Sequence, residues 1–202
     1  MGKLIVAVFT TLDGVAQSGG DPNEDRSGGF NYGGWHAPYL HPDAGRDLLE
    51  GAKSMDALLL GRRTYDVFAD FWPTAPEEMP FTGLMNGVPK YVASRTLTEP
   101  LAWTGSTLLT EPLAQSVAAL KERHEEIHVI GSLNLVQSLF GLGLVDGVDL
   151  LVDPLVLGAG KRVFGDGVPP VALRLIGSDS YSNGALHLRY EVAGEPTYGT
   201  IG

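Results

Sequence analysis

Cysteine is absent from this chain of 202 residues. Its absence excludes disulfide bonds, thiol nucleophiles, thiolate zinc sites and cysteine-bound iron–sulfur clusters. Basic charge is scarce, because 14 lysine and arginine residues stand against 24 aspartate and glutamate residues, for a formal net charge of −10. This balance argues against a general binder of nucleic acid or of an anionic membrane. Any phosphate site must therefore be local and built from a few placed arginines.

Long hydrophobic runs are also missing, and no stretch of the sequence approaches the length needed to span a membrane. The first apolar run is too short for a signal peptide, so we expect a cytoplasmic protein with no membrane partner. The G-x-G-x-x-G, P-loop and G-x-S-x-G signatures are absent, so function cannot be argued from those fingerprints. The apolar fraction of 44% still supplies a sizeable core. The length suits one domain over residues 1–202.

Apolar runs alternate with segments of helical spacing along most of the chain. Strands are predicted at residues 4–9, 57–60, 90–93, 127–130, 148–156, 172–176 and 186–192. Helices are predicted at residues 43–53, 64–71, 113–123 and 133–140. Asn183-Gly184 between the last two strands is a strong hairpin signal. The prediction is a three-layer α/β/α fold with a mixed, mostly parallel sheet and a C-terminal antiparallel hairpin.

The most informative stretch is Leu58-Leu59-Leu60-Gly61-Arg62-Arg63-Thr64-Tyr65, in which an apolar run stops at a glycine. Glycine permits close approach of the backbone to a ligand, and a helix start offers unpaired N–H groups. The two arginines add fork-shaped donors that suit phosphate. One interpretation is a site for a phosphate-bearing cofactor. The other is an ordinary strand-to-helix turn with Thr64 as a cap, and this stretch alone favours neither.

Three further motifs lie at predicted strand ends, where ligands bind in such sheets. Ser94-Arg95-Thr96 suits a phosphate monoester such as the 2′-phosphate of NADPH, or is an ordinary polar turn. Gly131-Ser132 opens a helix, where the glycine lets a pyrophosphate approach or Ser132 simply caps the helix. Leu12-Asp13-Gly14 ends the first strand. All four motifs would line one edge of one sheet, and the basic turn at 158–162 is a secondary phosphate candidate.

One motif suggests a metal but conflicts with the predicted fold. His124-Glu125-Glu126-Ile127-His128 matches the zinc-protease pattern H-E-x-x-H, whose two histidines must lie on one continuous helix. His128 falls instead in the predicted strand that leads to Gly131. We therefore predict no metal site.

The order of the motifs resembles that of the dihydrofolate reductase-like superfamily, and most closely the C-terminal reductase domain of the bifunctional riboflavin-biosynthesis deaminase–reductase. The matching residues span most of the chain: Thr11-Leu12-Asp13-Gly14, Leu60-Gly61-Arg62-Arg63-Thr64-Tyr65, Val92-Ala93-Ser94-Arg95-Thr96, Val129-Ile130-Gly131-Ser132 and Val156-Leu157-Gly158-Ala159-Gly160. The zinc site of the deaminase half requires cysteines, so this chain resembles a stand-alone reductase domain. The family usually has Gly-Gly where this chain has Gly131-Ser132.

The resemblance implies NADPH as the cofactor. The positions that it carries over for cofactor binding are Ala7, Leu12, Asp13, Gly14, Gly61, Arg62, Arg63, Thr64, Ser94, Arg95, Ile130, Gly131, Ser132 and Leu133. The turn at 61–64 would hold the pyrophosphate and the adenosine side, and Ser94 with Arg95 would take the 2′-phosphate. The turn at 131–133 would hold the pyrophosphate from the other side, while Ala7 and the turn at 12–14 would border the nicotinamide.

Substrate contacts are expected from the long segment at 16–41 and the helix that follows it. Dihydrofolate reductase carries a carboxylate on the similar helix, which makes Asp43 the candidate proton donor, or only a helix cap, and Asp47 a substrate contact. Trp35, His36 and Tyr39 would wall the substrate pocket or pin the loop.

The implied reaction is hydride transfer from NADPH to a C=N or C=O bond of a heterocyclic or ribosylamino-pyrimidine substrate. This reaction is similar to that of the 5-amino-6-(5-phosphoribosylamino)uracil reductase of riboflavin biosynthesis. A dihydrofolate- or pterin-type reductase is an alternative, and so is a non-catalytic NADPH-binding protein. The expected partner is a small molecule, with no nucleic acid, and the expected assembly is a homodimer.

Overall fold

The computed structural model describes residues 1–201, which form one eight-stranded sheet flanked by helices. The strands are β1 (Lys3–Thr11), β2 (Ala57–Gly61), β3 (Lys90–Ala93), β4 (Ser106–Leu108), β5 (Glu126–Ile130), β6 (Gly147–Asp153), β7 (Leu173–Ser180) and β8 (Leu186–Val192). The helices are α1 (Pro42–Gly51), α2 (Arg62–Phe71), α3 (Thr82–Gly87), α4 (Leu113–Arg123) and α5 (Leu133–Gly141). Within residues 1–201, no helix has the length and apolar character that a membrane crossing requires.

The sheet order is β4-β3-β2-β5-β1-β6-β8-β7. Neighbouring strands from β4 to β6 pair in parallel, whereas β8 pairs antiparallel with both β6 and β7. The predicted mixed sheet with a C-terminal hairpin is therefore confirmed. Gly184 has a φ of +87° in the turn between β7 and β8, a conformation that glycine adopts without strain.

Both faces of β2 are buried, as its continuous apolar run requires. In β2, Leu58, Leu59 and Leu60 are all fully buried. Successive side chains point to opposite faces, so Leu59 packs in the cluster that contains Leu4. Leu58 and Leu60 pack in a second cluster that contains Trp103. The two layers of apolar side chains fix the sheet and hold the carboxyl ends of its strands at one edge.

Two short elements escaped the sequence prediction. β4 has only three residues and lies at the sheet edge, where its pairing with β3 gives no alternating apolar pattern. α3 has six residues in a segment between β2 and β3 for which no separate helix was predicted after residue 71. Helix α2 also begins at Arg62 rather than Thr64, because Gly61 is the residue that precedes the first helical turn.

Ion pairs and backbone bonds close the sheet edge opposite the carboxyl ends of the parallel strands. Lys121 at the end of α4 donates to Asp146 Oδ2 at 2.5 Å and to the carbonyl oxygen of Leu144 at 2.8 Å. The same Asp146 oxygen accepts the Leu4 amide at 2.7 Å. The Lys121 side chain is only 6% exposed and that of Asp146 is 39% exposed, and this partly buried pair ties α4 to the start of β6 and to β1.

Lys90 at the start of β3 is completely buried. Its ammonium donates to the carbonyl oxygens of Asn86 at 2.7 Å and Thr104 at 3.3 Å, and lies 4.4 Å from the ring centroid of Trp103. Burial lowers the pKa of Lys90 from 10.5 to about 8, because the interior penalises the charged form. The lysine is thus a titrating group inside the apolar core.

This burial predicts an unusual pH dependence of stability. Below pH 8 both folded and unfolded states carry a charged Lys90, and the cost of burying the ammonium is fully present. Between pH 8 and 10.5 the unfolded state binds more protons than the folded state, so the free energy of unfolding should rise by up to about 1.4 kcal/mol per pH unit.

Urea unfolding at about pH 7.5 and 9.5 measures this rise in the free energy of unfolding, which Lys90→Met should abolish. Lys53→Met, which removes an exposed lysine, is the control. An equal pH slope in wild type and Lys90→Met would contradict the prediction.

Candidate functional site

A groove of about 780 Å³ runs along the carboxyl ends of the parallel strands. Three of the four predicted turns meet in its wall, those that follow β2, β3 and β5. The groove therefore brings nine of the predicted cofactor positions together: Gly61, Arg62, Arg63, Thr64, Ser94, Arg95, Gly131, Ser132 and Leu133. Its position matches the rule that ligands of open α/β sheets bind beyond the carboxyl ends of the strands.

The turns after β2 and β5 are joined by a reciprocal pair of hydrogen bonds. The Gly61 amide donates to Ser132 Oγ at 3.0 Å, and the Ser132 amide donates to Thr64 Oγ1 at 3.0 Å. Neither hydroxyl caps its own helix, so the alternative roles of Thr64 and Ser132 as simple caps are wrong. The two side chains instead fix the distance between two helix starts that face the same groove.

Backbone geometry at the β5–α5 turn is unusual. Gly131 has a φ of +61° and Ser132 a φ of +48°, so two consecutive residues are left-handed. Glycine adopts this conformation freely, whereas serine does so at a cost of roughly 1–2 kcal/mol. Such strain persists only where the surroundings impose it, and the hydrogen bonds to Gly61 and Thr64 supply that constraint.

The two arginines of the β2–α2 turn point to different partners. Arg62 Nη1 donates to Thr96 Oγ1 at 2.8 Å, towards the turn after β3. Arg63 Nη1 lies 3.2 Å from Asp25 Oδ1, towards the long segment at 16–41. Both guanidinium groups remain more than half exposed. They therefore keep unused donors on the groove side.

The turn after β3 is preorganised by Ser94. Its Oγ atom accepts the amides of Thr96 at 3.2 Å and Leu97 at 3.1 Å, which closes a tight turn. Arg95 on this turn is exposed, and its guanidinium makes no hydrogen bond or ion pair within residues 1–201. A free guanidinium at the rim of the groove is available to an anionic ligand.

The segment at 16–41 closes the opposite wall through a buried glutamine. Gln17 Nε2 donates to the carbonyl oxygens of Asp25 and Ser27 at 3.0 Å each, and its Oε1 accepts the Lys161 amide at 2.9 Å. Asp25 then forms ion pairs with Lys161 at 2.5 Å and with Arg63. Burial alone would raise the pKa of Asp25, but hydrogen bonds from Lys161 and Ser27 lower it to about 2.

Five predicted cofactor positions do not line the groove: Ala7, Leu12, Asp13, Gly14 and Ile130. Asp13 serves the neighbouring turn, where its carboxylate accepts the amides of Leu157 at 3.2 Å and Gly158 at 2.8 Å. A hydrogen bond from the Thr11 hydroxyl, with help from these amides, lowers the pKa of Asp13. The carbonyl of Ala7 accepts the Gly131 amide at 3.3 Å, so Ala7 supports the β5–α5 turn from behind.

Helix α1 turns its two candidate carboxylates away from the groove. Ala44 is the buried residue of the first turn, which leaves Asp43 exposed and paired with Arg46 at 2.9 Å. His41, not Asp43, caps the helix, because its Nδ1 accepts the Asp43 amide at 3.2 Å. Asp47 accepts a hydrogen bond from the Tyr181 hydroxyl at 3.0 Å. Burial, reinforced by Asp47, raises the pKa of Tyr181.

The predicted aromatic residues of the long segment serve to pin it. Trp35 is buried against Val15 and Phe30 and donates to the Gln17 carbonyl at 2.8 Å. The Tyr39 carbonyl accepts a hydrogen bond from Asn183 in the β7–β8 turn at 2.7 Å. Neither Trp35 nor Tyr39 lines the groove. The Trp35 side chain pins the loop, whereas the contact cited for Tyr39 is made by its backbone.

A buried His36–Asp153 pair anchors the same segment to the end of β6. His36 Nδ1 lies 2.7 Å from Asp153 Oδ2, and the two side chains are 4% and 0% exposed. The imidazole stacks on Phe9 with ring centroids 4.0 Å apart. Asp153 Oδ1 has no hydrogen-bond partner within residues 1–201. Sequence reasoning missed this pair, because its members lie 117 positions apart.

The H-E-x-x-H pattern is divided between two elements. His124 follows α4 and bonds to the Tyr91 hydroxyl at 2.9 Å, whereas His128 lies in β5 and bonds to Glu126 at 2.8 Å. The prediction that His128 belongs to a strand is confirmed. Residues 1–201 contain no cluster of three or more histidine and carboxylate side chains arranged to hold a metal.

Several groove residues were not predicted from the sequence. They are Gln17, Ser18, Glu24, Asp25, Glu111, Asn134, Ser138 and Lys161. Lys161 lies in the basic turn that was a secondary phosphate candidate, and the first four lie in the segment at 16–41, which was expected to contact the substrate. The acidic members come from a loop and a helix entrance, and no local pattern ties them to the groove.

Comparison with known proteins agrees with this architecture. The chain is 27% identical over 192 residues to the uncharacterized protein YyaP of Bacillus subtilis strain 168, which covers 93% of this chain and 94% of that protein. A Shewanella sp. PV-4 protein, provisionally named a riboflavin biosynthesis protein, superposes with a TM-score of 0.71 at 22% identity, covering 94% of this chain and 98% of that chain.

A Thermotoga maritima diaminohydroxyphosphoribosylaminopyrimidine deaminase/5-amino-6-(5-phosphoribosylamino)uracil reductase superposes with a TM-score of 0.62 at 14% identity. The alignment covers 95% of this chain but only 57% of that bifunctional protein. Both structural likenesses show a shared fold. The family model for the RibD C-terminal domain matches residues 2–187. The chain therefore belongs to the RibD C-terminal domain family, the reductase-like domain to which its sequence motifs point.

Proposed function

We propose that the protein is an NADPH-dependent reductase of a heterocyclic or ribosylamino-pyrimidine substrate. The observation that carries the proposal is the single groove in which the turns after β2, β3 and β5 meet. Membership of the RibD C-terminal domain family supports a reductase of the riboflavin-biosynthesis type. The substrate named for the Thermotoga maritima relative, 5-amino-6-(5-phosphoribosylamino)uracil, is the first candidate.

The groove suits a dinucleotide phosphate in three respects. Consecutive left-handed residues at Gly131-Ser132 form the turn at which β5 ends in the groove wall. Arg95, exposed beside Ser94 and without a hydrogen-bond or ion-pair partner within residues 1–201, offers donors to a phosphate monoester. The groove volume of about 780 Å³ falls within the range of cofactor and ligand pockets.

Within this proposal the residues bind and orient rather than react. The turns at 61–64 and 131–133 would hold the pyrophosphate at two helix starts, and Arg95 would select a 2′-phosphate over a hydroxyl. NADPH, when bound, supplies the hydride. The segment at 16–41 covers the groove through Gln17 and Asp25, which limits the access of water to the reacting atoms.

A two-stage experiment tests the function. Isothermal titration calorimetry should detect binding of NADPH with at least about tenfold preference over NADH, as expected when one charged contact distinguishes them. Loss of absorbance at 340 nm with 5-amino-6-(5-phosphoribosylamino)uracil should then report turnover. Equal affinity for both nucleotides would contradict the 2′-phosphate site.

The alternatives give different outcomes in the same assays. Turnover of a dihydropterin and not of the ribosylamino-pyrimidine would assign a pterin-type reductase. Tight NADPH binding without turnover of either compound would favour the non-catalytic NADPH-binding protein. The positions of Asp43 and Asp47 bear on this choice, because both lie outside the groove wall and neither is placed to donate a proton into it.

A further inference from the structure

One carboxylate of the chain, that of Asp25, already lies between two cationic side chains in the groove. Asp25 lies between Arg63, whose Nη1 is 3.2 and 3.3 Å from its two oxygens, and Lys161, whose Nζ is 2.5 Å from Oδ2. All three residues line the groove. A guanidinium and an ammonium that converge on one anion are the donors from which proteins build phosphate sites.

The two cations come from opposite sides of the groove. Arg63 follows β2, Lys161 follows β6, and the sheet order places β5 and β1 between them. The Asp25 carboxylate therefore bridges two walls of the groove that also contains the turn at Gly131-Ser132. A phosphorylated ligand that enters the groove meets two cations, of which one charge is already balanced by Asp25.

The main chain around Asp25 is held by bonds of its own as well as through the carboxylate. The Asp25 amide donates to Ser18 Oγ at 3.0 Å, and its carbonyl oxygen accepts Gln17 Nε2 at 3.0 Å. The carboxylate adds one further bond, in which Oδ1 accepts the Ser27 amide at 3.0 Å. Rotation of the side chain away from the two cations breaks this bond to Ser27 and leaves the bonds to Ser18 and Gln17 in place.

We propose that Arg63 and Lys161 form a phosphate-binding subsite, in which the Asp25 carboxylate stands in for the ligand's phosphate until that phosphate displaces it. The proposal rests on the proposed function, because it requires that the groove take a phosphorylated ligand. The phosphate belongs either to the cofactor's pyrophosphate or to a phosphorylated substrate. In both cases Asp25 competes with the ligand, so its charge sets the affinity of the subsite.

The test compares isosteric variants with two small probes, inorganic pyrophosphate and ribose 5-phosphate. Asp25→Asn should bind the probe that fills the subsite roughly fivefold more tightly than wild type, because a partly exposed ion pair no longer has to be broken. Lys161→Met should weaken binding of the same probe. Glu24→Gln is the matched control, since Glu24 lines the same groove but holds only the backbone amides of Gly20 and Asp21.

Titration calorimetry of the four proteins gives decisive outcomes. A larger gain for Asp25→Asn than for Glu24→Gln supports the proposal. Equal gains in affinity for Asp25→Asn and Glu24→Gln would show that only the net charge of the protein matters. Weaker binding by Asp25→Asn would show that Asp25 holds the two cations in place for the ligand. Either result overturns the proposal, and so does a failure of Asp25→Asn to bind either probe. Thermal unfolding of each variant verifies that the fold is intact.

The same measurements distinguish the source of the phosphate and separate this proposal from the proposed function. Loss of NADPH affinity in Lys161→Met assigns the subsite to the cofactor. Loss of ribose 5-phosphate affinity with NADPH at saturation assigns it to the substrate. If wild type binds no NADPH but the probes show the expected order, the proposed function fails and the subsite stands.

Discussion

The His36→Ala variant is expected to lose about 3–5 kcal/mol of its free energy of unfolding, because it leaves the buried carboxylate of Asp153 without its hydrogen-bond partner. Asp153 Oδ1 already lacks a partner within residues 1–201, and the residue is fully buried, so no neighbour can replace the imidazole. Loss of the stacking on Phe9 adds to the cost. Urea unfolding followed by circular dichroism at neutral pH measures the change.

The double variant His36→Ala/Asp153→Asn separates charge from packing. Asparagine keeps the size of Asp153 and removes its charge, so the double variant should recover about 1–3 kcal/mol relative to His36→Ala. Equal stability of the single and double variants would show that the imidazole acts only through its packing on Phe9. His41→Ala, which removes a less buried histidine from the same segment, should cost only about 1 kcal/mol.

The Arg95→Ala variant is expected to bind NADPH about 1.5–3 kcal/mol more weakly than wild type, which corresponds to a loss of roughly 10- to 150-fold in affinity. The reason is that Arg95 is the groove-rim guanidinium with no partner inside residues 1–201, so its charged donors are free for the 2′-phosphate. NADH lacks that phosphate, and its affinity should hardly change. Titration calorimetry with both nucleotides measures the two effects.

Arg123→Ala is a suitable control for net charge. Arg123 is exposed in the last turn of α4, away from the groove wall, and its removal changes the charge of the protein by the same amount. A loss of NADPH affinity in this variant would point to long-range electrostatics. Equal losses of affinity for NADPH and NADH in Arg95→Ala would contradict the prediction. They would show that Arg95 contacts a part of the cofactor that both nucleotides share, and not the 2′-phosphate.

The order of strands and helices was predictable because the central parallel strands are largely buried and contain continuous apolar runs. β2 (Ala57–Gly61) is buried on both faces and is such a run, and the polar turn after it lies at the ligand-binding edge. The predicted bounds of β3, α4 and β8 agree with the structure to the residue. β4 escaped because three residues at a sheet edge, half-exposed, carry no period.

Sequence analysis could predict only those parts of the groove that are formed by residues contiguous in the chain. The turns after β2, β3 and β5 are contiguous in sequence, so their glycines, hydroxyls and arginines were visible as motifs. Asp25 and Lys161 meet across 136 positions of chain, and no local pattern reports such a pair. The role of Asp43 stays a prediction: burial of Ala44 leaves Asp43 exposed and outside the wall of this groove, and composition alone does not fix that phase of α1.

The two ends of the parallel strands have different roles: the groove lies at the carboxyl ends, and the Lys121–Asp146 pair lies at the amino ends. The Lys121–Asp146 pair and its bonds to β1 hold the edge remote from the groove, and none of these residues lines the groove. Substitutions at exposed positions of the segment at 16–41 therefore leave these contacts in place. Such a division makes the scaffold evolvable: new binding preferences can be acquired at the exposed positions of that segment while buried anchors such as His36 maintain the folding stability.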